Sequence, residues 1–149
     1  MVQRTESKPS ILAVNRSTVP IEDLAKKGAD KVKVQYLIDE RHGSNRFALR
    51  LYSVEKGGHT PLDEHEYEHH VYVLGGQGLL REARNNSLAV RKLTEGDVLF
   101  VPSNVVHQFI NEGDEPLVFL CVKGNPKLYA HSDQAQVRTV AVKDSDNFC

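Results

Sequence analysis

"GGHTPLDEHEYEHHVYVLGGQG", residues 57–78, carries four of the chain's seven histidines (His59, His65, His69 and His70) and then runs into an apolar, β-branched segment closed by glycines. Extended backbone sends successive side chains to opposite faces. On that parity Asp63, His65 and His69 share one side, while Glu64, Glu66, Glu68 and His70 share the other. A single inward imidazole is commonly a satisfied core histidine. Two imidazoles and a carboxylate on one buried face are different, because burying them without partners is costly. A metal ion removes that cost, and histidine is the commonest metal ligand.

The surrounding chain reads as strands divided by turns. "KVKVQYLI", "RFALRLYSV", "HVYVL", "DVLFV", "HQFI", "PLVFLCV" and "VRTVAV" are short, β-branched or aromatic runs, and "RFALRLYSV" sets Phe47, Leu49 and Leu51 against Ala48, Arg50 and Tyr52. Turn-forming groups separate them, among them Gly57-Gly58, Gly75-Gly76-Gln77-Gly78, Asn85-Asn86 and Glu95-Gly96-Asp97. Residues 17–28, "STVPIEDLAKKG", have the marks of one short helix: Ser17 or Thr18 as cap, Pro20 in the first turn, Lys26 and Lys27 in the last, and Gly28 as stop. About eight or nine strands with one small helix, and no alternation of strand and helix, make an all-β sandwich or barrel. Residues 1–30 read as an arm and short helix packing on the barrel, and 31–149 as the barrel itself, a single domain overall.

Composition bounds the function classes. With 19 basic and 20 acidic side chains the chain has no basic surplus that would draw it to nucleic acid or an anionic membrane. The start, "MVQRTESKPS", lacks the apolar run of a secretory signal, and no stretch reaches the length of a membrane span. Cys121 lies in an apolar segment and Cys149 is the last residue, a poor pair for a disulfide framework. The expectation is a cytoplasmic protein with a small-molecule substrate or ligand, and with neither a nucleic-acid nor a membrane partner.

A second stretch, "EGDVLFVPSNVVHQFIN", contributes His107 at the start of a strand. Taken together the two stretches read Gly57-x5-Asp63-x-His65-x3-His69-x6-Gly76 and Gly96-x5-Pro102-x-Asn104-x2-His107-x3-Asn111. This pattern resembles the cupin superfamily, whose motifs are G-x5-H-x-H-x3,4-E-x6-G and G-x5-P-x-G-x2-H-x3-N. The resemblance spans roughly residues 47–122. It implies a jelly-roll β-barrel (double-stranded β-helix) with one metal inside, and a homodimer whose amino-terminal strands help form the interface. Three letters depart from the pattern: Asp63 replaces the first histidine, His69 the glutamate, and Asn104 a glycine. Asparagine is the non-glycine residue most at ease at positive φ. Exchanging carboxylate and imidazole leaves the implied set at three histidines and one carboxylate: Asp63, His65, His69 and His107.

The aspartate side chain is shorter than histidine, so two arrangements stay open. In one, Asp63 coordinates directly. In the other, it accepts a hydrogen bond from a water on the metal and serves as a catalytic base. A site of three nitrogens, with or without that oxygen, suits a divalent transition metal (Fe, Mn, Ni, Cu or Zn), and the lack of thiolates argues against a closed structural zinc. His70 has the outward parity, His59 reads as a loop residue, and His42 and His131 lie in polar loops. Cys121 reads as core, with a redox-sensitive place beside the metal as the alternative. Tyr52, Tyr67, Tyr72 and Phe109 read as packing, and Gly75, Gly76 and Gly78 as a turn rather than a phosphate loop. Function then divides three ways: an oxidoreductase with dioxygenase-like chemistry on a small oxygenated molecule, which is the leading expectation; a non-catalytic ligand-binding module; or a metal-dependent isomerase or lyase.

Overall fold

Thirteen consecutive residues, Phe47–His59, stay extended in one strand that is shared by both layers of the molecule. The computed structural model describes residues 9–129. Within them the strands follow as β1 (Glu22–Asp23), β2 (Asp30–Ile38), β3 (Phe47–His59), β4 (His69–Gly75), β5 (Gln77–Arg84), β6 (Ser87–Thr94), β7 (Val98–Val101), β8 (His107–Ile110) and β9 (Leu117–Gly124). Every pairing is antiparallel. The first part of β3 lies between β2 and β9, and β4 and β7 continue that layer. Its far end pairs through His59 with Ile110 of β8, and β5 and β6 continue the second layer. The sheet therefore curls on itself through β3, an all-β barrel of the expected jelly-roll kind.

Register sorts the interior side chains into rows. Val54 faces Leu117; Tyr52, Phe119 and Val73 form the next row; Arg50, Cys121 and Val71 the next; Ala48, Lys123 and His69 the last. The apolar end holds Tyr52 stacked on Phe119 at 5.4 Å and Phe119 stacked on Phe109 at 4.5 Å. These rings join Val34, Val54, Val73 and Leu117 in the core, each contributing about 1.5–3 kcal/mol of burial. The inward face of β3 is thus Arg50, Tyr52 and Val54. Phe47, on the other parity, is 61% exposed.

The helix expected over residues 17–28 does not form. A single 3-10 turn, Arg16–Thr18, is capped by the Asn15 side chain, and Glu22 and Asp23 instead pair with Val34 and Lys33 of β2. Helices shorter than about 12 residues are marginal on their own. Here the backbone gains sheet hydrogen bonds, an Asp23–Lys33 ion pair and a place for Leu24 against the core. The β5–β6 hairpin also escaped the sequence reading, because Arg81, Glu82, Arg84, Arg91 and Lys92 obscure its alternation. Only its turn, Asn85-Asn86, was visible, and both residues adopt positive φ (43° and 65°). The segment "VRTVAV" lies outside the described residues. No helix among them is long and apolar enough to cross a membrane.

Gly76 closes the turn between β4 and β5 at φ +81°, and a Cβ there would lie 2.1 Å from the Pro116 carbonyl oxygen. Both constraints act on backbone that cannot swing aside. Gly76→Ala should therefore cost about 2–4 kcal/mol, measurable as a lowered urea midpoint with an unchanged slope.

Candidate metal centre

Every odd residue from 61 to 69 is buried, and the even ones are exposed apart from the half-buried Glu64, although most of this run is not regular strand. Asp63, His65, Tyr67 and His69 face inward; Glu66, Glu68 and His70 face out. Parity survives because the backbone is held in place. Asp63 N–H donates to the His107 carbonyl at 3.0 Å, His107 N–H donates to the Asp63 carbonyl at 2.9 Å, and Asn104 N–H donates to the His65 carbonyl at 2.8 Å. Asn104 occupies the left-handed region at φ 61°, as its place in the motif requires. Asn111 fixes the other end: its side-chain amide donates to Val54 O and Glu115 O and its oxygen accepts from Gly113 N–H.

These bonds bring His65, His69 and His107 together. One ring nitrogen from each lies within 4.8 Å of the others. The ring centroids form a nearly equilateral triangle of 4.7, 5.1 and 4.9 Å. All three side chains are buried. His65 Nδ1 lies 3.0 Å from the Tyr67 carbonyl and His107 Nδ1 2.7 Å from the Val105 carbonyl. A carbonyl only accepts, so Nδ1 carries the proton in both rings. His65 Nε2 is buried with no hydrogen-bond partner. Burial, with the charges of His107, Arg50 and Lys123 as lesser causes, pushes the His65 imidazole down to about 3, and His69 is lowered more strongly by the same effects. Neutral imidazoles with converging lone pairs are what a transition metal requires.

Asp63 does not join this trio. It is fully buried, but its Oδ2 accepts from Lys26 Nζ at 3.2 Å and its Oδ1 from Glu64 N–H at 2.9 Å. His70 is exposed and packs edge-on against Phe100, 5.7 Å between centroids. His59 ends β3, with its Nδ1 near Thr60 O and Gln108 Nε2. His42 closes a short 3-10 turn by accepting from Asp39 N–H, and His131 lies outside the described residues. Tyr52 and Phe109 are core, as expected; Tyr67 instead stacks on His65 at 3.8 Å, and Tyr72 is 47% exposed. Cys121 is buried in the core, with its sulfur 3.5 Å from His69 Nδ1; Cys149 lies outside the described residues.

Three cations near the histidines were not singled out from sequence: Lys26, Arg50 and Lys123. Arg50 and Lys123 occupy inward positions of strands otherwise filled by apolar residues, a signal visible only once the inward parity of β3 and β9 is known. A cleft of about 540 Å³ has Lys123 in its wall together with Ala48, Phe47 and Pro126, and the three histidines do not line it.

The family pattern for the cupin domain (Cupin_2) matches residues 50–123. The polyketide cyclase RemF from Streptomyces resistomycificus superposes with a TM-score of 0.69 at 30% identity, over 77% of this chain and 80% of that one. Among curated proteins, 1-methylthio-D-xylulose 5-phosphate methylsulfurylase of Rhodospirillum rubrum is 34% identical over 94 residues, 60% of this chain and 58% of that protein. Glucose-6-phosphate isomerase of Pyrococcus abyssi is 30% identical over 111 residues, 68% of this chain and 59% of that protein. The chain thus spans less than two thirds of the length of these two relatives. It belongs to the cupin superfamily, as a small cupin domain with a three-histidine cluster in its barrel.

The buried imidazoles set a pH response in the metal-free protein. Unfolded histidine takes up its proton near pH 6.5, whereas His65 in the fold does so only near 3. The unfolded state therefore binds protons first as pH falls, and stability is lost from about pH 6.5 downward. Two such histidines give a slope of about 2–3 kcal/mol per pH unit. Urea unfolding between pH 7 and about pH 5 reads this slope, and His65→Gln should roughly halve it. A flat profile over that range would contradict the assignment.

Proposed function

We propose that this cupin is a metal-dependent enzyme acting on a small oxygenated molecule, with the ion held by His65, His69 and His107. The observation that carries the reading is the trio of buried imidazoles, two of them fixed at Nδ1 by backbone carbonyls. A divalent ion there would supply Lewis acidity toward an oxygen of the bound molecule, and one-electron chemistry if it is redox-active. The chain's own residues set the rest. The Tyr67 and Val105 carbonyls hold the His65 and His107 rings in one tautomer. The apolar rows behind them, Tyr52, Phe109 and Phe119, exclude water from the closed end of the barrel.

Of the two roles open to Asp63, its ion pair with Lys26 supports the one away from the metal. There the carboxylate serves as a base held in place by Lys26. The isomerase or lyase branch draws support from relatives whose names put them on sugar phosphates. The oxidoreductase, dioxygenase-like branch keeps its support from a three-nitrogen ligand set that leaves positions open for oxygen and substrate. A homodimer remains part of the reading, supported by the exposed apolar residues Ile11, Leu12 and Ile21 of the amino-terminal arm.

Elemental analysis of the purified protein tests the core of this reading. Close to one divalent transition metal per chain is expected. His65→Ala and His107→Ala should lose most of it, about 10–100-fold in affinity or more, whereas Asp63→Asn should retain it. Metal loss in Asp63→Asn would return the aspartate to the ligand set. Full metal retention in His107→Ala would overturn the site. Oxygen uptake marks the redox branch, and exchange of substrate protons with solvent marks the isomerase branch.

A further inference from the structure

The three histidines are not held alike. His69 opens β4 and pairs in the sheet with Val101 and Lys123. His107 opens β8, where it pairs with Glu82 and exchanges two main-chain bonds with Asp63. His65 lies outside the strands, in the stretch between β3 and β4. Its carbonyl accepts from Asn104 N–H at 2.8 Å, and its Nδ1 donates to the Tyr67 carbonyl at 3.0 Å. A single bond at Nδ1 selects the tautomer but leaves the ring able to turn about it. The side chain of Tyr67 supplies a further constraint. Its ring lies 3.8 Å from the His65 ring and 8° from parallel with it. At that separation the two faces are in contact, so neither ring can turn without striking the other. The Tyr67 ring also meets His69, at 6.3 Å and 60°. Lys123 Nζ lies 4.8 Å from its centre and attracts it as a cation does a ring face. Tyr67 is only 2% exposed, yet it stands apart from the apolar core that holds Tyr52, Phe109 and Phe119. Its burial therefore serves the histidines rather than the hydrophobic end of the barrel.

We propose that Tyr67 is a positioning residue of the histidine trio: its ring, seated against Lys123, sets the plane of His65 and so holds that imidazole in one orientation toward His69 and His107. The inference deepens the function proposed above and rests on it for its purpose. A ligand ring fixed before an ion arrives gives up no rotational freedom when the ion binds. Tyr67 then acts twice on the same neighbour. Its carbonyl decides which nitrogen of His65 carries the proton, and its ring decides where that imidazole points. Extended parity puts residues 65 and 67 on one side of the chain, which makes both contacts possible. The face of the ring makes the stacking contact, so a phenylalanine should serve and an aliphatic side chain should not.

Heteronuclear NMR of the histidine rings, on protein stripped of metal and held at neutral pH, tests the role directly. The unsubstituted protein should show His65 as a single Nδ1–H tautomer, with its ring protons shifted upfield by the face of Tyr67. Tyr67→Phe should keep both signatures. Tyr67→Leu retains the main-chain carbonyl and loses the stack, so its His65 should populate both tautomers. Titration with cobalt(II) should follow the same order: about tenfold weaker binding and an altered visible absorption band in Tyr67→Leu, and unsubstituted values in Tyr67→Phe. An unchanged His65 spectrum in folded Tyr67→Leu, or cobalt bound by it as tightly as by the unsubstituted protein, overturns the proposal. If Tyr67→Leu does not fold, the unsubstituted protein decides. His65 ring protons that show neither the upfield shift nor cross-peaks to the Tyr67 ring overturn the proposal, and their presence sustains it. The two readings fail separately. A protein that takes up no cobalt removes the function proposed above, while the metal-free spectra still decide the role of Tyr67; equal cobalt binding by all three forms keeps that function and overturns this role.

Discussion

Two main-chain hydrogen bonds between Asp63 and His107 hold the site together. They clamp an irregular stretch, residues 60–68, to the first residue of β8 and so bring two segments far apart in sequence to one place. Together with bonds from Thr60 N–H to the Phe109 carbonyl and from Gly124 N–H to the Glu68 carbonyl, they keep inward parity through a run that is not regular strand. With them, His65 and His69 approach from one side and His107 from the other. The Asn104 bond to the His65 carbonyl adds a third point of attachment and explains a non-glycine residue in the left-handed region.

A clamp made of main-chain groups is insensitive to the side chains it carries. That is the physical sense of the departures from the family pattern. An aspartate in place of the first histidine leaves the backbone bridge intact, and the carboxylate turns to Lys26. A histidine in place of the glutamate keeps its inward direction and completes the trio. Ligand identity can thus vary at fixed geometry, which is why the fold by itself does not name a reaction.

The features legible in the sequence were those governed by local geometry. Period-two alternation found the inward histidines and the outward His70, motif spacing found His107, and paired turn residues found most of the strand boundaries. The features that escaped depend on tertiary context. The amino-terminal helix signals were sound as local chemistry, but pairing with β2 offered residues 22–23 more than a short helix could. Arg50 was not placed, because the alternation of "RFALRLYSV" does not say which parity is inward. Only pairing with β9, whose own inward positions are Leu117, Phe119, Cys121 and Lys123, decides it. Lys26 was read as a helix-terminal charge, and its pairing with a buried aspartate 37 positions away leaves no sequence signature.

The grading of the interior rows separates two jobs along a single set of strands. Tyr52, Val54, Val73, Leu117 and Phe119 secure the barrel, while Ala48, Arg50, His69 and Lys123, a step or two further along the same strands, surround the histidine cluster. Specificity on such a scaffold can drift through exchanges at the level of the histidines, leaving the hydrophobic plug and its folding energy untouched. Small cupins of this build are therefore tolerant starting points for new chemistry, because altering what they recognise does not require rebuilding what makes them fold.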